Sequence, residues 1–401
     1  MPEYDFVVAG GGPAGLQFAR EIGQRSDHSV AVLERNESLS DNDKSTGGTF
    51  HQVIEGFDIP SHVVMDSSPD VIFEGPTESE RLNIPNYVLD FPEFLQYLGK
   101  DAKKHGAEIL TDTEVLGPIQ NNGAVEGVNI KQNGSTDEIL ADITVDATGP
   151  SGILTTELGM WDRDAAQSGI GKEYEAIGDF DCDSMLFKFD HEFAPGGYAW
   201  VFPAGDGVFK IGVCWVNDFY ERHHPPDDGE IDSYIQKWIE SDPRWDIDEV
   251  QDVHAGQAIS DNSINQRAGD GMVAIGDAVS SINPLFGEGI RPAMESAEMA
   301  AHISLEALKR GDTSRQSLFT YEERWNQEKG PKWKTQRMVG ELLYDFDADQ
   351  QDGFVRKVGQ LSDEQAKRLQ KYELTLTDLI SLYPIKTKDV PKIPTLLRHI
   401  T

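Results

Sequence analysis

The chain has 401 residues, 38% of them apolar, and carries 70 acidic against 35 basic side chains, for a formal net charge of −35. That length exceeds a single ordinary core, so two closely packed domains, or one large fold with an inserted sheet, are expected, and no run reaches the roughly 18 apolar residues of a membrane-spanning helix. Such acidity argues against nucleic-acid binding, which needs basic surface to neutralise phosphates, and the scattered carboxylates read as adaptation to a salt-filled cytoplasm, where the Debye length falls to about 3 Å in molar salt.

Met1 leads through Glu3 and Asp5 straight into a strand pattern, with neither a basic n-region nor a small-residue cleavage site. No signal peptide is therefore read, and a cytoplasmic location is expected. The run Tyr4 to Ala9 is apolar, Gly10-Gly11-Gly12-Pro13-Ala14-Gly15 closes it, and Leu16, Ala19 and Ile22 follow at helical spacing. A second strand, Val30 to Leu33, ends in Glu34, 19 positions after Gly15. This completes a dinucleotide-binding βαβ unit. Gly10 permits the tight turn, Gly12 lets the backbone approach a pyrophosphate, and Gly15 allows close packing of helix on strand, with the helix N-terminus facing the phosphates. Glu34 is placed to accept hydrogen bonds from ribose hydroxyls.

Further along, Phe94, Leu95, Leu98 and Ala102 predict a helix ending near His105-Gly106, and residues 107–145 alternate short strands with Asn/Gly turns, a small β-meander. A hairpin is expected over Tyr198 to Trp215, and a surface loop near 223–229. Tyr198, Trp200 and Phe202 lie two apart and so share one face of a strand, an aromatic wall. After a turn at Pro203 to Gly207, Phe209, Ile211, Val213 and Trp215 return at the same period, and a two-stranded apolar surface is expected from both sets. Cys182 and Cys214 show no metal-ligand spacing and read as small core residues. His223-His224 is read as a loop pair without a metal.

FAD rather than NAD is indicated by two later segments. Thr144 to Gly149 brings a strand back toward the cofactor, and Val273 to Ala278 delivers Asp277, an acid suited to a ribityl hydroxyl. Asn283-Pro284-Leu285-Phe286-Gly287-Glu288-Gly289-Ile290 then opens a helix whose free N–H groups can face the flavin pyrimidine ring and favour negative charge there.

The order of these segments resembles the flavoprotein superfamily that includes aromatic hydroxylases, over roughly residues 1–310. Within it, Pro195-Gly-Gly-Tyr198-Ala-Trp200-Val-Phe202-Pro203 matches the P-x-x-Y-x-W-x-F-P signature of the geranylgeranyl reductase family. The resemblance implies an α/β fold: a Rossmann-like FAD-binding domain (GR2-type) over 1–105, 140–175 and 255–330 with a meander at 106–139, an inserted antiparallel β-sheet substrate domain over 176–254, and C-terminal helices over 331–401. It implies cofactor contacts at Gly10, Gly12, Ala14, Gly15, Glu34, Thr46, Gly47, Val115, Asp277, Gly287, Gly289 and Ile290. Tyr198, Trp200 and Phe202 would line the substrate pocket, with Tyr198 the candidate proton donor. The chain departs from the family pattern at Thr46, where relatives often carry cysteine, and near Phe91 to Phe94, where no arginine stands.

The implied activity is saturation of C=C bonds in geranylgeranyl chains, of archaeal-type ether phospholipid precursors or of free geranylgeranyl diphosphate. The alternatives are a monooxygenase or halogenase of the same superfamily, a non-redox flavin-dependent prenyl-lipid cyclase or isomerase, and a flavin-carrying lipid-binding protein. Asp146 to Gly152 lacks the arginine usual in hydroxylases, and the wall motif differs from the W-x-W-x-I-P of tryptophan halogenases. No second nucleotide-binding βαβ unit is found, so electrons come from transiently bound NAD(P)H or from a protein such as ferredoxin. Residues 331–401 hold 12 basic and 10 acidic side chains. The final positive stretch, with Lys386, Lys388, Lys392 and Arg398, is expected to touch anionic membrane headgroups, unless it forms a helix packed on the FAD domain.

Overall fold

The computed structural model describes residues 3–161, 167–224, 229–260 and 266–384. The chain forms two compact units, the first built from Met1–Lys44, Asp90–Gln167 and Ala258–Pro331, the second from Ser45–Leu89, Ser168–Gln257 and Lys332–Thr401.

In the first unit the strand Glu3–Ala9 lies between Val30–Leu33 and Ser135–Asp146, parallel to both, and Met272–Ala274 and Glu108–Leu110 extend the parallel set outward. All four residues of Val30–Leu33 are buried, as expected of a parallel strand covered on both faces. The predicted helix is Phe91–Lys104, and the Asp90 carboxylate caps it by accepting from the Glu93 N–H at 2.9 Å. The meander consists of Thr113–Asn121, Ala124–Gln132 and Ser135–Asp146, each antiparallel to the next. Its turns are Asn122-Gly123 and Asn133-Gly134, with φ of 50° and 90° in one and 50° and 77° in the other. Two successive left-handed residues are what a two-residue hairpin needs to match strand twist.

In the second unit a sheet runs, in spatial order, Trp245–Ser260, Gln167–Phe180, Val208–Val216, Gly197–Pro203, Met185–Lys188, Val64–Glu74, Ser79–Leu89 and Gly48–Phe50. Residues 45–89, grouped by sequence with the dinucleotide-binding part, belong here. Val64–Glu74 pairs in parallel with Met185–Lys188, from Val71 opposite Met185 to Glu74 opposite Lys188. The helices of 332–384 belong to this unit too. Lys386, Lys388, Lys392 and Arg398 lie outside the described residues, as does most of the loop at 223–229. Cys182 and Cys214 are free and partly exposed.

The register corrects one expectation. Tyr198 stands opposite Cys214, Trp200 opposite Gly212 and Phe202 opposite Lys210. Directly paired residues share a face, so the aromatic wall is continued by Lys210, Gly212 and Cys214, while Phe209, Ile211, Val213 and Trp215 point to the other side. There they join Ala199, Val201 and Leu186 in a core closed by Tyr234, Ile235 and Trp238 of the helix Ile231–Ser241.

The end of Ser135–Asp146 is tied down by its last residue. The fully buried Asp146 carboxylate accepts from the Thr148 N–H and hydroxyl at 3.0 and 2.7 Å, and from the Leu154 and Thr155 N–H groups at 3.0 and 2.8 Å. Asp146→Ala is expected to lower unfolding free energy by about 3 kcal/mol or more, because it strands several donors at once. Urea unfolding at constant salt measures this, and a loss below about 1 kcal/mol contradicts the assignment.

Candidate functional site

The glycine turn separates into residues the chain itself requires and one it does not. Gly10 has φ +113°, and a Cβ there would strike the Ala147 carbonyl, while a Cβ on Gly15 would strike the carbonyl of Gly10. Gly12 is different, since a Cβ on it would meet nothing within 4 Å. Its lack of a side chain leaves the space in front of the turn open, which is the room that close approach of a pyrophosphate needs. The helix Pro13–Arg25 starts there with Pro at its first position and no side-chain cap, so its first-turn N–H groups are presented without a protein side chain over them, the arrangement that binds phosphate.

Glu34 is buried, and its two carboxylate oxygens accept from the Gly11 and Asn36 N–H groups, each at 3.0 Å. Those two bonds orient the group and leave lone pairs for ribose hydroxyls. Ala14 packs on Gly276, where an added Cβ would stand 2.9 Å from the Ala14 methyl. The same contact brings the neighbouring Asp277 to the glycine turn. Asp277 Oδ1 is buried without a hydrogen-bond partner, and burial pushes the carboxyl up from 3.8 to about 6. An orphaned buried acceptor calls for a donor, and a ribityl hydroxyl is one.

Gly287, at φ +64°, donates its N–H to the Asn283 carbonyl at 3.1 Å, and Asn283 donates to the Glu288 carbonyl at 2.9 Å. The loop so formed delivers Gly289 and Ile290 to the start of the 21-residue helix Ile290–Arg310, which has no side-chain cap. A Cβ on Gly289 would lie 3.7 Å from Asp277 Oδ2, so acid and helix start are adjacent. These residues of the first unit fit FAD. Val115 belongs to its strand core with Val7, Ala31 and Ile130, which leaves its main chain for any cofactor contact. Sequence reasoning missed the buried Arg291–Glu288 ion pair at 2.9 Å, which braces the loop.

The second unit gathers Thr46 and Gly47 with the aromatic wall. Gly47 has φ +76°, and its carbonyl accepts from Leu89 N–H at 3.0 Å. Tyr198, Trp200 and Phe202 are all buried. Phe187 joins them, with ring centroids 5.7 Å from Tyr198 and 5.3 Å from Phe202. The Trp200 indole lies directly over Gly212, where any Cβ would overlap the ring. Its Nε1–H donates to Glu173 Oε2 at 2.8 Å, and the Thr46 side chain neighbours the same carboxyl. Glu173 escaped sequence reading because an acid alternating with Tyr174 in a strand looks solvent-facing. The Tyr198 phenol is held well above its ordinary range by burial and by its neighbours Cys214 and Tyr344. His223 stacks on His191 with ring centroids 4.0 Å apart.

A curated digeranylgeranylglycerophospholipid reductase from Haloferax volcanii is 37% identical over 381 residues, covering 90% of this chain and 91% of its own. The chain belongs to the geranylgeranyl reductase family. The model of the geranylgeranyl reductase catalytic domain matches residues 167–258, which include the whole aromatic wall. A second reductase of the same name, from Methanosphaerula palustris, is 27% identical over 80% of the chain and 82% of its own. Among solved structures, a geranylgeranyl bacteriochlorophyll reductase-like protein from Thermoplasma acidophilum superposes with TM-score 0.84 at 23% identity, over 99% of this chain and 100% of that one. The myxobacterial chondrochloren halogenase shares the fold with TM-score 0.69 at 17% identity, over 100% and 97%. This chain thus shares its fold with an FAD-dependent halogenase.

Two outcomes follow for the cofactor. Gly12→Val has room in the protein but fills the space before the turn, so the variant is expected to keep its melting temperature and lose retained FAD, read by flavin absorbance after gel filtration. A variant that keeps FAD refutes the cradle. Because the Asp277 carboxyl sits at about 6 and a hydroxyl donor favours its charged form, FAD affinity should rise as pH increases through that value and level off above it. Asp277→Asn should flatten the profile in a fluorescence titration.

Proposed function

We propose that this chain is an FAD-dependent reductase that saturates C=C bonds in geranylgeranyl chains of ether-lipid precursors. The observation that carries the reading is the continuous aromatic face formed by Phe187, Tyr198, Trp200 and Phe202, within the segment that the catalytic-domain family matches. FAD, when bound and reduced, supplies the hydride.

The residues do the rest. The face offers an isoprenoid chain apolar contact along its length with few polar groups, which is how a long hydrocarbon is held and water kept out. Gly212 lets the Trp200 ring lie flat on the sheet, and the bond to Glu173 stops that ring from turning. Glu34, the helix start at Pro13 and Ala14, and the orphaned Asp277 would orient the cofactor from one end to the other. Electrons arrive from NAD(P)H or from a ferredoxin-type donor. No helix among the described residues is long and apolar enough to cross a membrane.

Dithionite-reduced protein mixed anaerobically with a geranylgeranylated glycerophospholipid is expected to reoxidise its flavin and to add two mass units to the lipid for each bond saturated. Absence of both signals refutes the reading. Oxygen-dependent NADPH consumption with a hydroxylated or halogenated product supports the monooxygenase or halogenase alternative instead.

A further inference from the structure

Saturating an isoprenoid alkene takes a proton as well as a hydride, and an electron-rich, unconjugated alkene accepts hydride only as positive charge develops on its substituted carbon. An acid must therefore serve the aromatic face. Tyr198 is a poor one, because its buried phenol is held well above its ordinary range, and proton transfer is efficient when the donor's pKa lies near the working pH.

Glu173 has the required placement. It projects from Gln167–Phe180 directly opposite Gly212 of Val208–Val216, and so shares the face of Trp200 and Lys210. It is 3% exposed, as Lys210 is 2% exposed. Lys210 Nζ lies 3.7 Å from Glu175 Oε2, and Glu175 is the more exposed of the two acids. One buried lysine thus lies near two carboxyls, and burial of the deeper one favours its neutral form. His254, on Trp245–Ser260, is the other charged group that acts on Glu173. Burial raises the Glu173 carboxyl above the ordinary range, while Lys210, Trp200 and Thr46 oppose that rise. The stretch Thr46 to Gly48 crosses the same face, with the Thr46 side chain beside Glu173 and a Cβ on Gly48 falling 2.5 Å from the Phe202 ring.

We propose that Glu173 is the proton source for alkene saturation and passes its proton to the substrate through the Thr46 hydroxyl. The inference rests on the reductase reading above. The Glu173 O–H bond breaks as Thr46 Oγ1 takes that proton, and the Thr46 O–H bond breaks as the first new C–H bond forms. The hydride that reduced FAD supplies makes the second. The alkene gains two electrons, FAD is left oxidised, and Glu173 is left as a carboxylate facing Lys210 until solvent returns its proton. Positive charge passing through the substituted carbon is stabilised by aromatic faces, which Trp200, Tyr198 and Phe187 provide.

The test uses reduced, FAD-loaded wild type, Glu173→Gln, Thr46→Val and Thr46→Ser, each mixed anaerobically with a geranylgeranylated phospholipid over a range of pH. The wild-type rate of flavin reoxidation is expected to fall as pH rises through the Glu173 pKa. Glu173→Gln should lower it on the order of 10²-fold and abolish that limb, with FAD content and melting temperature kept. Thr46→Val should lose rate similarly, and Thr46→Ser should restore it, which decides the matter if the glutamine variant does not fold. Infrared difference spectra of wild type minus Glu173→Gln, without lipid, should show the carbonyl stretch of a neutral carboxyl at neutral pH. Its absence overturns the proposal. A wild type that reduces the lipid at a rate indifferent to Glu173→Gln and Thr46→Val overturns the proposal alone, whereas a wild type that leaves the lipid unreduced overturns the functional reading and the proposal with it.

Discussion

Backbone approaching backbone more closely than any side chain allows is the constraint on which the first unit depends. Gly10 lies against the Ala147 carbonyl, and Gly15 lies against the carbonyl of Gly10. These two contacts draw the first strand, the first helix and the end of Ser135–Asp146 to one point. The Ile275 N–H then donates to the Asp146 carbonyl at 2.9 Å, which carries Asp277 to the same place. Glu34, the glycine turn and Asp277 meet because three parallel strands end together there. That is where a doubly wound sheet exposes its strand ends to a ligand.

The second unit obeys a different constraint, the parity of an antiparallel ladder. With Trp200 fixed opposite Gly212, every residue of the hairpin is committed to one of two faces. One face becomes an ordinary core over Trp238. The other holds rings, a glycine that lets a ring lie flat, a buried lysine and two acids. Removing one partner from such a buried polar set is costly.

The acidity of the chain gives these buried pairs their weight. Exposed ion pairs contribute little in dilute buffer and less in molar salt. Where charges are shielded from solvent the attraction persists. Glu74 in the second unit is bound by Arg244 at 2.7 and 3.0 Å, and Arg244 also reaches Asp242 at 2.6 Å.

Features encoded by neighbours in sequence were legible without coordinates. The spacing of Gly10, Gly12 and Gly15, the placing of Glu34 after Leu33, the Asn-Gly turns of the meander, the helix from Phe91 and the common face of Tyr198, Trp200 and Phe202 all follow from local backbone geometry. What required tertiary structure was every relation set by pairing at a distance. Residues 45–89 take their place from a parallel pairing with Met185–Lys188, more than a hundred positions away. The Phe209 to Trp215 set lies opposite the wall because the turn after Pro203 determines which alternate residues match, and period two alone is blind to that choice. Glu173 is buried only because Gly212, Trp200 and Thr46 close over it. An acid's sequence neighbours say where it sits along a strand, but its pKa and its use depend on what the rest of the chain brings to that face.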